Sequence, residues 1–426
     1  MSSLLSAPFR LRSFCWLGLI FALLCLPLLL SNRESNYTYD ETNYHLPAVR
    51  QIREHWPRLD LQRDCFSAAA PGYHYMLAGL SFVTTTNRLP LRLVNFAVSL
   101  GVLALLWRAW PAGAGTNLVT LALLPLAASN FFVKSASYLV TDNAALLMIT
   151  GALTALFFAP AAPGLRRASG FAAAAVFIRQ SGIWLVAPLG IRILREPFSI
   201  RRLLLLLPPL LILSWLFFSW GGLVPAAWRD ATRSATGLVP AAGAYLLAVL
   251  GLLGTAYYAA ARPADWSADL RSRWAGGGAL AGLALALAGT TTFSFEDGRW
   301  GGYLWDAAAR LPAVGPYSAV FLVLTPFGGA LLAVMVRQLW LEAGTTAALG
   351  WSAAFIGWAG TGLTNRLVFH RYFEPITLVL LICWLLLLIR TRPAPAGVAL
   401  RPLAILGVFQ LALTLITAHG RTFGFL

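Results

Sequence analysis

Leu203-Leu204-Leu205-Leu206-Leu207-Pro208-Pro209-Leu210-Leu211-Ile212-Leu213-Ser214-Trp215-Leu216-Phe217 carries no charge and no polar stripe, and it follows directly on Arg201-Arg202. A helix that is apolar all round belongs in hydrocarbon or in a large core. Ile376–Ile389 reads the same way. A span needs about 20 mostly apolar residues to cross roughly 30 Å of hydrocarbon, and about 13 segments approach that length. Their cores are 14–31, 93–107, 116–132, 142–160, 168–178 running into 182–194, 203–223, 240–260, 275–291, 316–336, 344–361, 373–389 and 399–418. The expected fold is all-α, a polytopic transmembrane helical bundle of about 12–13 spans.

Composition agrees. With 58% hydrophobic and 11% charged residues, the chain has too little polar surface to coat a water-soluble globule. The net charge of +16 comes from arginines scattered through short loops, as membrane orientation requires, so nucleic acid is excluded as a partner. Cys15, Cys25 and Cys383 lie in apolar runs and only Cys65 in a polar loop, which leaves neither a disulfide framework nor zinc spacing. Arg10 and Arg12 precede the first apolar run, which lacks a small-residue cleavage site and reads as an uncleaved first helix. The alanine, leucine and arginine bias suits a GC-rich bacterial genome, hence a bacterial inner membrane.

Pro71–Val83 decides the sidedness. If it crossed, Arg166-Arg167, Arg192 with Arg195, Arg201-Arg202, Arg271 with Arg273, and Arg390 with Arg392 would all lie outside. If it stays at the surface as a short helix, they share the cytoplasm with Arg10 and Arg12, as the positive-inside rule prefers. The external face then holds the loop after the first span, with Glu34, Asp40, Glu41, Glu54, Asp60 and Asp64, and the region of Asp142. It also holds the loop from Thr292 to Tyr317 and the stretch Asn365–Arg371. Polar chemistry on one face is the pattern of a single site at the membrane surface.

Four motifs could carry that chemistry. Tyr39-Asp40-Glu41-Thr42-Asn43-Tyr44-His45 sets two carboxylates ahead of a helix starting near Pro47, whose Leu46, Val49, Ile52 and Trp56 share a face suited to lying on the membrane. A carboxylate held there can act as general base toward a sugar hydroxyl; a solvated loop with Asp40 as a helix cap would use the same residues. Ser135–Asn143 interrupts an apolar run, with Asp142 as a functional acid or an N-cap of the next span. Phe177-Ile178-Arg179-Gln180-Ser181-Gly182-Ile183-Trp184 puts an arginine in an apolar stretch, at a cost on the order of 2.5–3.5 kcal/mol. Arg179 therefore needs an anion, which can be a phosphate bound bidentately or a buried carboxylate such as Asp142. Gln180 adds a neutral donor beside it. Asn365–Pro375 gathers Arg366, His370 and Arg371 at the mouth of a span, where they suit an anionic head group or plain interface anchoring. No Walker loop, Rossmann glycine fingerprint or His-Glu-x-x-His occurs, so an activated sugar would have to arrive on a lipid phosphate.

In this order the motifs resemble the dolichyl-phosphate-glucose-dependent alpha-1,2-glucosyltransferases, multi-pass enzymes of the C-type (GT-C) superfamily that add the last glucose to the lipid-linked N-glycan precursor. Tyr39-Asp40-Glu41 and His45-Leu46-Pro47 look like the family's Tyr-x-Asp-Glu-x-x-His-x-Pro, with one residue fewer before the acids and one more before His45. Pro71-Gly72 with Tyr75, Arg92-Leu93-Val94-Asn95 and Tyr138–Asp142 resemble its Pro-Gly-Leu-Tyr, Arg-Phe-Val-Asn and Tyr-Tyr-Thr-acid segments. Phe177, Arg179-Gln180 and Ile183-Trp184 resemble Phe-Arg-Gln-Thr-Asn-Ile-x-Trp, and Arg371-Tyr372-Phe373 with Pro375 resembles Arg-Tyr-Phe-x-x-Pro. The likeness covers residues 1–195 and 366–380. The family's Ala-Asp-Asn-Arg-His-Tyr is missing, with Glu296-Asp297-Gly298-Arg299 as a degraded counterpart.

The resemblance implies a GT-C-like N-terminal catalytic module over 1–195, including the external loop 32–90. A variable module over 196–426 follows, with external loops 292–316 and 363–372. It implies inverting, metal-independent transfer of a hexose, glucose by analogy, from a polyprenyl-phosphate donor to a lipid-linked or other external glycan, without a cofactor. Asp40 would be the base, and Glu41 and Asp142 would orient or tune it. Arg179, Arg366, His370 and Arg371 would neutralise the departing phosphate, with His45, Tyr73, His74 and Gln180 completing the substrate-binding set. A transporter or flippase of lipid-linked sugars, or a polysaccharide polymerase or ligase, would also carry intramembrane arginine and polar loops. The missing internal repeat speaks against the first, and the Asp-Glu pair directly after the first span against the second.

Overall fold

The computed structural model of the chain describes residues 7–31, 33, 35–62, 64, 67–111, 113–229, 237–261, 266–294, 296–297, 299, 301–392 and 398–420; Glu34, Cys65 and Gly298 lie outside them. Among the described residues the architecture is all-α apart from one small hairpin, β1 (Ala313–Val314) with β2 (Tyr317–Ser318). Seven helices among the described residues are long and apolar enough to cross a membrane. An eighth span arises if α6 (Thr116–Ala127) and α7 (Asn130–Ser137), bent by 69°, count as one. The chain is thus a multi-pass membrane protein, with fewer full-length apolar helices among the described residues than the 12–13 segments expected. The shortfall falls on helices cut short or diluted by small and charged residues. Examples are α8 (Asp142–Phe158, 17 residues), α9 (Ala161–Ile178, with Arg166 and Arg167) and the glycine-rich α12 (Arg273–Leu287).

The chain forms two compact units, Met1–Ala231 with Gly407–Leu426, and Thr232–Leu406. In the first, α1 (Ala7–Leu30) is followed by α2 (Asn36–Asp40), a π-turn (Glu41–His45) and α3 (Leu46–Glu54), the last three joined end to end. Leu46, Val49 and Ile52 are buried against Tyr73, Leu77, Leu91 and Leu139. The apolar face of α3 is therefore covered by protein rather than laid on lipid, a correction to the sequence expectation; a stripe of that spacing suits either neighbour. The stretch Pro71–Val83 forms α4 (Gly72–Leu80), whose nine residues are far too short to cross. Gly72 sits there because a Cβ would lie 2.6 Å from the carbonyl oxygen of Phe177. Of the apolar run Leu203–Phe217, the part from Leu207 onward lies in α10 (Leu207–Trp220). Its Leu211, Trp215, Phe217 and Phe218 stand exposed, as lipid-facing side chains do.

In the second unit α11 (Pro240–Ala261), α12 and α13 (Ala319–Glu342) approach closely through small residues. A Cβ on Gly251 would meet the carbonyl oxygen of Leu324 at 3.0 Å, and one on Gly282 that of Thr325 at 2.5 Å. Small residues let apolar helices pack where lipid offers no hydrophobic drive. The helix α14 (His370–Thr391) is almost wholly enclosed and buries Leu378 through Leu388.

Candidate functional site

The first unit assembles its polar residues behind the end of α1. α2 is started by Ser35, whose hydroxyl caps the backbone N–H of Thr38. Asp40 ends α2 and is partly exposed. Glu41 behind it is fully buried. It accepts from Arg92 Nε at 2.9 Å and Nη2 at 2.9 Å, and from the backbone N–H of Leu139 at 3.1 Å. Arg92, on α5 (Arg88–Ala109), also donates to the carbonyls of Leu29 and Ser31. A buried arginine and a buried glutamate thus satisfy one another and clamp the loop to the first span. Sequence reading alone gives Arg92 no part in the site, although a charge one turn inside an apolar helix has to find an anion.

The π-turn brings His45 inward beside Glu41. His45 Nδ1 lies 2.8 Å from His74 Nε2, and the two rings stack at 5.1 Å between centroids. Burial holds His74 down to about 4, so that imidazole is neutral near pH 7. Tyr73 is fully buried, and its hydroxyl meets no hydrogen-bond partner among the described residues. Burial, then the charges of Glu41 and Asp142, push its pKa well above the ordinary phenol value.

Asp142 is the first residue of α8 rather than its cap; Thr141 holds that position. Its carboxylate pairs with Arg179. Arg179 stands in extended conformation where α9 stops and a 3-10 turn (Gln180–Leu185) begins, so the apolar stretch is broken at its charge. The pair is 25% exposed at Arg179 and 12% at Asp142, which leaves it open to water. The carboxylate alternative for Arg179's anion is thus present in the structure. Gln180 donates to the carbonyls of Ala68 and Leu223 and accepts from the N–H of Ala70, so its amide is taken up in fixing the neighbouring loops.

Outside the polar centre, Tyr39, Tyr44 and Trp228 form a chain of edge-to-face rings, with centroids 5.8 Å and 4.9 Å apart. Its hydrogen bond with Tyr39, then burial, then nearby charges including Asp40, raise the Tyr44 phenol.

The remaining sequence-derived residues lie in the second unit. His370 is fully buried; Nδ1 meets the Tyr245 hydroxyl and Nε2 lies 2.9 Å from Glu374. Tyr303 donates to the same carboxylate at 2.6 Å. Both ring nitrogens of His370 are engaged within the protein. Arg371 lies over the rings of Phe369 and Tyr372 at 5.0 and 5.2 Å. Arg366 lines a cleft of about 330 Å³ with Arg299 and Asp297, from the segment read as a degraded motif. No three His, Cys, Asp or Glu side chains gather in a metal-binding arrangement among the described residues. Comparison with protein-family models, with curated proteins and with solved structures gives no match.

Proposed function

We propose that the chain is a membrane glycosyltransferase that moves a hexose, glucose by its family resemblance, from a polyprenyl-phosphate carrier to a lipid-linked or other external glycan. The acceptor hydroxyl gives its proton to Asp40 as its oxygen bonds to the anomeric carbon. The bond from that carbon to the phosphate oxygen breaks, and the polyprenyl phosphate leaves with the electron pair. Attack from the opposite face inverts the anomeric centre.

One observation supports this assignment of the base. Arg92 and the Leu139 N–H hold the adjacent Glu41, and Asp40 stands partly exposed at the end of the helix so fixed. A carboxylate on a rigid support meets the positional demand of general-base catalysis.

The test incubates purified protein with radiolabelled polyprenyl-phosphate hexoses and a membrane lipid extract. Transfer of label from one such donor into a glycolipid, lost in Asp40→Asn, is the expected result. Absence of transfer from every donor would sink the proposal, and donor translocation across a vesicle bilayer without transfer would make the chain a flippase.

A further inference from the structure

The cleft in the second unit is built from two loops and a helix start. Val239 and Pro240 open α11, Thr290, Asp297 and Arg299 follow α12, and Arg366 precedes α14. Its volume, about 330 Å³, is at the small end of the range for ligand clefts, about 300–1,000 Å³. Arg299 is only 4% exposed. Its guanidinium donates to the carbonyls of Thr290 and Thr292 and to the Thr290 hydroxyl, while Nε has no partner among the described residues. Among the described residues it pairs with Asp297 at 3.8 Å, whose side chain is 44% exposed. Trp305 lies 5.2 Å from the guanidinium and adds no negative charge. Arg366 lines the same cleft. Two arginines therefore line the cleft with one carboxylate, and the start of a 22-residue helix adds the positive end of its dipole; Pro240 carries no N–H, and the N–H groups of Val239 and Ala242 already donate to the carbonyls of Leu363 and Val239.

We propose that this cleft binds a phosphate group, with Arg366 and Arg299 as its cations, the helix dipole at the start of α11 adding to their field, and Asp297 as the competing anion a ligand displaces. Helix starts with adjacent arginine suit phosphate oxygens, which take up several donors at once. The site does not depend on glycosyl transfer. The phosphate can be free or carried by a lipid, and the two sources separate in the test.

Full-length protein in phosphatidylcholine nanodiscs is titrated calorimetrically with inorganic phosphate, farnesyl monophosphate and farnesol, with no sugar present. Farnesyl monophosphate binds and farnesol does not. Competition by inorganic phosphate at similar concentration identifies a free-phosphate site; binding of the prenylated form alone identifies a lipid-borne one. Arg366→Gln weakens binding at least tenfold, and Asp297→Asn strengthens it severalfold, a gain that no loss of folding can mimic. Binding is read with no sugar and no acceptor present, so a failed transferase assignment leaves this result standing. No binding of either phosphate, or dissociation constants within twofold of wild type in both Arg366→Gln and Asp297→Asn, overturns the proposal.

Discussion

Arg92 grips Glu41 with two nitrogens, Nε at 2.9 Å and Nη2 at 2.9 Å, with both side chains withdrawn from solvent. The two neighbouring acids therefore stand in different surroundings, Glu41 buried and Asp40 partly exposed. Removing one partner of a buried ion pair costs about 3–5 kcal/mol, because the other charge is stranded. Glu41→Gln should lower the melting temperature markedly. Asp40→Asn should melt as wild type does and lose roughly 10²–10⁴-fold in transfer rate, the usual worth of a general base. Melting curves in detergent beside transfer assays decide it; full activity in Asp40→Asn would remove Asp40 from the chemistry.

Arg179 and Asp142 form a second pair, part-open to water. If Arg179 only serves the fold, Arg179→Lys is tolerated, Arg179→Ala destabilises, and Arg179→Leu with Asp142→Leu restores stability. If it also holds the donor phosphate, Arg179→Lys keeps its melting temperature but raises donor KM or lowers kcat, because the planar fork is lost. We expect the second pattern. A double leucine variant that regains both stability and activity would assign the pair to structure alone.

His74 makes stability depend on pH. Its pKa is lowered by burial from 6.5 to about 4. In the unfolded chain it takes up a proton below about 6.5, which the folded protein refuses until about 4. The stabilisation is whole above pH 6.5 and is lost as pH falls toward 4, in total on the order of 3 kcal/mol. Melting temperatures of wild type should fall more steeply between pH 7 and 5 than those of His74→Asn. Parallel slopes would mean that His74 is not held neutral.

Sidedness can be read by labelling. Asn36 and Arg166 are both exposed in the first unit. In a variant cleared of native cysteine, Asn36→Cys should react with an impermeant maleimide added to intact cells, and Arg166→Cys only after permeabilisation. Labelling of Arg166→Cys from outside contradicts an external first loop.

Apolar runs made the helical class plain, and the need of Arg179 for an anion was legible, but not that the helix would break at it. What remained hidden was which neighbour each side chain would choose. The stripe Leu46, Val49 and Ile52 suits lipid and protein alike, and only the fold sets Tyr73 and Leu77 against it. Glu41 and Arg92 are 51 residues apart, so their contact has no local signature. Gln180 looked like a phosphate donor from its place beside Arg179, but the backbone of residues 68–70 uses its amide. Arg299 and Arg366 belong to loops far apart in sequence, and the cleft they share depends on the packing of α11.

The π-turn has a consequence for how this chain tolerates insertions and deletions. Tyr37, Glu41, His45 and Val49 recur every four residues and are all buried. In a plain α-helix each such step overshoots the previous one by about 40°, so a row of four would wind off the face. The i to i+5 bond from the N–H of Leu46 to the carbonyl of Glu41 underwinds the backbone and keeps the row aligned. Deleting exposed Thr42 or Asn43 removes no buried contact directly, yet it rotates everything downstream by roughly 100° relative to Glu41. Either Glu41 then leaves Arg92 or His45 leaves His74. The phase of the helix, more than any side chain on its outer surface, is what the loop has to keep.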